Sequence, residues 1–332
     1  MADSICLEAQ DRLRQAGPAI VATIDRPGLV AHCDWSVDAR KRWMAAATRR
    51  GNGWLVHAPE PVGPCASLFA RLAARAGAGD PLLVGVDFVL GLPAWFGERS
   101  SLPDFRSALQ VVGSGAWSRW FDVCADPADI SLQRPFYPAT PGGRSRAQLL
   151  AGLGLDTPDD LLRLCERKTA TRPAACSLFW TLGGNQVGKA ALAGWRELLQ
   201  PNLDALALWP FDGSLATLLA GAKPIVAETY PGDTYSRLGI ARRPVWSKRT
   251  QSGRRAVAPQ LLAWLERRGH ALQDGLVDAI ATGFTPDASG EDRFDALVGL
   301  FGMLDVVDGH QPEAMPAAPG LRRWEGWILG QS

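Results

Sequence analysis

Three apolar runs of the chain each close on an acid: Asp34 after "LVAHC", Asp87 after "LLVGV" and Glu228 after "PIVA". A carboxylate at the end of a buried strand loses hydration, so it must be compensated by a cation, a hydrogen-bond donor or a proton. Several such groups converging on one place would repel one another, and a divalent cation relieves that repulsion. A fourth acid comes from "GEDRFDALVGL", where Asp292 and Asp295 stand three positions apart and share one face of a helix. Asp295, flanked by Phe294, Leu297 and Val298, is expected to point inward, whereas Asp292 in a charged first turn is expected to serve the helix dipole. Taken singly, a strand-end Asp reads as a turn or cap residue. Jointly, Asp34, Asp87, Glu228 and Asp295 read as a catalytic and metal-binding set. Oxygen donors without His or Cys suit Mg²⁺ or Mn²⁺.

The elements that must position these acids are legible from periodicity. "GLVAHCDWS" reads as a first strand ending in Asp34, and "RWMAAATRRGNGWLVHAPE" as two strands joined by a tight turn containing Asn52-Gly53. "CASLFARLAARAGAG" has the apolar spacing of an amphipathic helix stopped by glycines, and "DPLLVGVDFVLGLP" follows as a buried strand. From about Glu98 to Lys223 the pattern is irregular, with a capped helix expected at "TPDDLLRLCERK" and another at "VGKAALAGWRELLQ". Regularity returns with the strand "AKPIVAETYPG", the helix "APQLLAWLERRGH" and a long helix around "EDRFDALVGLFGMLDVV". The organisation expected is an N-terminal extension over 1–27, a first core part over 28–97, an insertion over 98–222 and a second core part over 223–332.

At 332 residues and 47% hydrophobic content the chain can bury a large core. Its formal net charge of +1 gives no long-range attraction to a polyanion or an anionic membrane, so any nucleic-acid surface must be a local patch. The six cysteines never approach CxxC spacing, and no apolar window is long enough to span a bilayer. Reduced thiols and a cytoplasmic location are expected. The first residues, "MADSICLEAQDRLRQAG", carry acids where an export signal needs basic residues and read as a short amphipathic helix.

"GGNQVGKA", Gly183 to Ala190, has the glycine-lysine spacing of a phosphate loop. Its last position fails: Ala190 stands where a Ser or Thr hydroxyl would hold Mg²⁺. The segment reads as the opening of a helix, with Lys189 kept as an anion contact at a helix N-terminus. A second cationic segment, "ARRPVWSKRTQSGRRAVAP", supplies Arg242, Arg243, Lys248, Arg249, Arg254 and Arg255 without one acid. A solvated face and a phosphate-contacting cluster both fit that run. Lys248, Arg249, Arg254 and Lys189 are the candidate substrate-binding residues. Trp35, Trp43, Trp95, Trp117 and Trp120 could stack bases but are expected mainly in the core, and His32 and His57 are expected as structural histidines within strands.

"HCDWS", "GVDFVLGLP", "VAETYPGDTYSRLG" and "DRFDALVGL" resemble the family known as domain of unknown function 429, predicted nucleases of the ribonuclease H-like superfamily. The resemblance implies an α/β fold, a ribonuclease H-like mixed five-stranded sheet flanked by helices, with a large insertion between the fourth and fifth strands. It also implies a metal-dependent nuclease or phosphohydrolase, with Asp34, Asp87, Glu228 and Asp295 on the family's acidic positions. Two Mg²⁺ ions about 4 Å apart would activate water and stabilise the leaving oxygen. Asp34 would bridge them, and Lys248, on the family's recurring lysine, would contact phosphate. The partner implied is a nucleic acid or a nucleotide. A non-catalytic binding module for nucleic acid or protein on the same fold is the alternative. An actin-like ATP-binding fold needs phosphate-binding glycines after the first strand, which "DWSVDARKR" lacks.

Overall fold

β1 (Leu29–Asp34) is the spine of the molecule, because it pairs antiparallel with β2 (Trp43–Arg50) on one side and parallel with β5 (Leu82–Val86) on the other. The structure is a computed structural model that describes residues 26–170, 172–183, 187–241, 246–318 and 320–332. The amphipathic helix expected near the N-terminus, the middle of the glycine-lysine loop, and Arg242 and Arg243 lie outside the described residues. β2 turns through Gly51 and Asn52 into β3 (Gly53–Val56), with Gly51 at φ +60°, a conformation costly for a residue with a Cβ. β4 (Glu60–Pro61) adds a short pairing to β2. Beyond β5 come β7 (Ile225–Glu228) and then β6 (Ala207–Trp209), both parallel, while β8 (Ala271–Leu272) pairs with β3 at the opposite edge.

The sheet is therefore mixed and eight-stranded, in the order β6-β7-β5-β1-β2-β3-β8 with β4 on β2, and helices flank it. Five strands were expected. The additional three are two or three residues long, too short to leave a period in the sequence, and β6 comes from the irregular stretch between residues 98 and 222. The same stretch supplies Phe105, Trp120, Phe136 and Trp195 to the core cluster that also holds Leu29, Ala31, Val84 and Val86. The helix expected at "TPDDLLRLCERK" is instead two 3-10 turns, Pro158–Leu161 and Leu164–Glu166, the first opened by the expected cap at Thr157. The helix Val187–Gly194 forms as expected and loosens into a π turn over Trp195–Leu199.

Strand periodicity divides the side chains into two cores. Leu29, Ala31 and Cys33 of β1, with Leu82, Val84 and Val86 of β5, face the Leu68–Ala76 helix and the 98–222 stretch. Val30 and Leu83 face the other way, toward the Ser289–Val307 helix. That helix is buried along most of its length, with Phe294, Leu297, Leu300, Phe301 and Leu304 fully covered. Each such side chain contributes about 1.5–3 kcal/mol on leaving water. It lies close over the sheet because Gly299 sits on the His32 ring, where an added Cβ would fall 2.3 Å from ring atoms. Burial pushes the His32 pKa down to about 3, so the ring is a neutral packing element. His57 is tied to Thr48 Oγ1 at 2.9 Å. No helix among the described residues is long and apolar enough to cross a membrane.

Candidate functional site

Parity along the strands decides which acids meet. In the β1–β5 register Cys33 lies opposite Val86, so the next residue of each chain segment, Asp34 and Asp87, stand side by side. Both follow the phase of Val30 and Leu83 and therefore project to the face covered by the Ser289–Val307 helix. The two carboxyl groups share a hydrogen bond, and the Trp35 amide donates to Asp87 Oδ1 at 2.7 Å. Burial above all, then the charges of Asp87, Asp295 and Asp292, hold the Asp34 pKa well above the usual carboxylate range, against the pull of Lys248. Asp87 is pushed up to about 7, chiefly by burial and further by Asp295, while the Trp35 amide, the bond to Asp34 and Lys248 oppose the shift. Near neutral pH the pair resists full ionisation, because two adjacent half-buried carboxylates cannot both ionise cheaply.

Asp295 descends on this pair from the helix, as its apolar neighbours suggested, and is 5% exposed. Tyr235 donates its hydroxyl to Asp295 Oδ1 at 2.8 Å, and the Lys248 ammonium donates to Oδ2. Lys248 also lies 3.4 Å from Glu291 Oε1. Burial works against the Lys248 ammonium, but Asp295, Glu291 and Asp34 outweigh it and raise the pKa. Asp292 belongs to the same electrostatic field rather than only to the helix dipole: burial, Glu291 and Asp295 push it up to about 6, and its charge acts in turn on Asp34. Tyr235 was not anticipated. Its contact crosses 60 positions of sequence, and only its place in the Pro231–Arg237 helix, facing inward, gives it away.

Glu228 does not join them. Its register partner on β5 is Val86 rather than Asp87, so it points to the opposite face of the sheet. There Arg163 engages both oxygens, Nη2 to Oε1 at 2.6 Å and Nη1 to Oε2 at 2.7 Å, and the Leu90 amide adds a third bond at 2.7 Å. Arg163 is fully buried and also bonds Glu166 and the Leu90 and Glu325 carbonyls. Expected as a catalytic metal ligand, Glu228 is instead half of a buried ion pair that joins the 98–222 stretch to the sheet.

The cations expected to meet substrate divide in the same way. Lys248 is at the acid cluster with its side chain 29% exposed, and Arg249 beside it is exposed. Arg254, expected to meet substrate, is instead buried, donating to the carbonyls of Gly283 at 2.9 Å and of Lys248 and Thr285 at 2.6 Å, so its guanidinium is spent on the local chain. Lys189 lies in the first turn of the Val187–Gly194 helix, where Gly188 touches the Leu178 carbonyl so closely that a Cβ would fall 2.1 Å from it. Close packing accounts for that glycine. Trp35, Trp43, Trp117 and Trp120 are buried, as expected of core residues.

The arrangement offers paired hard oxygens from Asp34 and Asp87, with Asp295 held nearby by an ammonium and a phenol. As the side chains stand, no three His, Cys, Asp or Glu residues among the described ones are close enough together to hold a metal ion. The donor pair suits a single hard cation in chemistry, and Asp295 would have to leave Lys248 to become a third ligand. Compared with protein-family models, curated proteins and solved structures, the chain matches none, so its functional reading rests on its own residues.

Proposed function

We propose that the chain is a divalent-cation-dependent hydrolase of phosphodiester or related phosphoryl bonds, acting at Asp34, Asp87 and Asp295 on a ribonuclease H-like fold. The observation that carries this reading is the Asp34–Asp87 pair, two carboxyls brought together in a poorly hydrated place where burial first, and then the charges of neighbouring acids, push both pKa values up. Folding gains nothing from such a pair, and arrangements of this kind cluster at functional sites. The finer fold reading draws support from β1, β2 and β3 running antiparallel in succession, followed by β5 and β7 parallel to β1, with acids at the strand ends.

Asp34 and Asp87 would hold Mg²⁺ or Mn²⁺, which would supply an activated water and charge for the leaving oxygen. The Trp35 amide fixes the orientation of Asp87, and Tyr235 fixes that of Asp295. Lys248 brings a permanent positive charge to the edge of the cluster, where it would face a substrate phosphate. A non-catalytic binding module remains the second reading, favoured by one feature: Glu228 and Asp295 are already neutralised by Arg163 and Lys248. Calorimetric Mn²⁺ titration at pH 8, with a parallel hydrolysis screen of oligonucleotides and nucleotides, separates the two. Saturable binding lost in Asp34→Asn, together with cation-dependent cleavage, supports the hydrolase. A wild-type chain that cleaves nothing in the screen leaves the module.

A further inference from the structure

Aromatic side chains are withdrawn from solvent almost everywhere in the molecule, and the exception stands beside the acid cluster. Among the described residues Tyr230, 49% exposed, is the one Phe, Trp or Tyr side chain left largely open. A lone exposed ring is ordinary on a protein surface, and what distinguishes this one is its place. Tyr230 follows Glu228 and Thr229 at the end of β7 and caps the Pro231–Arg237 helix. Thr229 fixes this corner to β5 just before Asp87, donating its amide to the Val86 carbonyl at 2.8 Å. The Tyr230 ring packs against the backbone of Gly232, where an added Cβ would sit 2.6 Å from ring atoms, so the ring is braced from within its own turn. Partial burial and then the charges of Asp233 and, more weakly, Asp295 hold its phenol pKa up, while Lys248 opposes them.

A braced, solvent-open ring at the edge of a phosphate-handling site matches the way single strands are held, with the backbone beside cations and bases on aromatic faces. A base inside a duplex has no free face to offer. We propose that Tyr230 is a stacking platform for an unpaired nucleobase next to the phosphodiester, which makes single-stranded nucleic acid the substrate class. The inference rests on the hydrolase reading above.

The test uses the full chain with an oligothymidylate, the same oligomer carrying abasic residues, and a duplex, following binding by fluorescence anisotropy in Ca²⁺ and cleavage in Mg²⁺. Wild type is expected to bind the oligothymidylate about tenfold more tightly than the abasic strand, the loss of one stacked base. Tyr230→Leu should erase that difference while binding the abasic strand as wild type does, and Tyr230→Phe and Tyr230→Trp should retain it. The platform is overturned if wild type binds base-bearing and abasic strands alike, if Tyr230→Leu loses equally on both, or if the duplex binds as well as the single strand. Failure of wild type to bind any oligomer, with hydrolysis of nucleotides intact, overturns the platform alone, and failure on oligomers and nucleotides alike overturns the hydrolase reading itself.

Discussion

Replacing Asp87 by Asn should make the cation-free protein more stable at pH 8, although it removes half of the acid pair. Asp87 is shifted from 3.8 to about 7, roughly three pKa units, which corresponds to about 4 kcal/mol of folding free energy lost once the group is forced to ionise in the native state. Side-chain contact with solvent and sharing of the proton with Asp34 reduce this to about 2 kcal/mol. The sign follows from proton counting: between pH 4 and 7 the folded chain keeps a proton that the unfolded chain has released, so stability falls as pH rises across that window and levels off above it. Asparagine can still accept from the Trp35 amide and can donate to Asp34, so the geometry survives while the ionisation is removed. Urea and thermal unfolding in EDTA at pH 5 and pH 8 measure the effect. The expected gain at pH 8 is roughly 4 °C in Tm, with a flatter pH profile. Mn²⁺ should stabilise wild type at pH 8 and leave Asp87→Asn nearly unmoved. An Asp87→Asn protein no more stable than wild type at pH 8 in EDTA would refute the view that burial and the charge of Asp295 strain Asp87.

Arg163→Ala should cost about 3–5 kcal/mol in urea unfolding, because it leaves Glu228 buried without its partner, and Glu228→Gln should leave Mn²⁺ affinity within threefold of wild type. Arg254→Ala should lower stability by about 3 kcal/mol through three orphaned carbonyls yet leave the salt dependence of oligonucleotide binding unchanged, whereas Arg249→Ala should reduce that salt slope by about 1. Gly299→Ala should destabilise by about 1–3 kcal/mol, since its methyl group meets the His32 ring, and a smaller ring-free residue at position 32 should recover part of the loss.

Much of the scaffold was legible because its strands and its long helix carry strong periods: β1, the β2–β3 hairpin, β5, β7 and the Ser289–Val307 helix fall where the apolar pattern put them. The strand-end positions of Asp34 and Asp87, and the inward position of Asp295, followed from apolar neighbours alone. What could not be read was the face that Glu228 takes. All four residues of β7 are buried, so no polar alternation reveals its phase, and a single residue of register sends the acid to the other side. Arg254 misled for a different reason: in sequence it is one of a run of cations, and nothing local says that the carbonyls of Gly283 and Thr285 will surround it. Tyr235 was hidden by distance, since hydrogen bonds between segments leave no spacing to detect.

The Arg163–Glu228 tie has a consequence for how the chain comes apart. A residue from the long middle stretch neutralises a buried negative charge at the end of β7. Clipping that stretch away would leave the remaining strands holding an ionised group they cannot solvate, so the middle of the chain and the sheet should melt in one step, and limited proteolysis should yield fragments that stay together or none that fold alone.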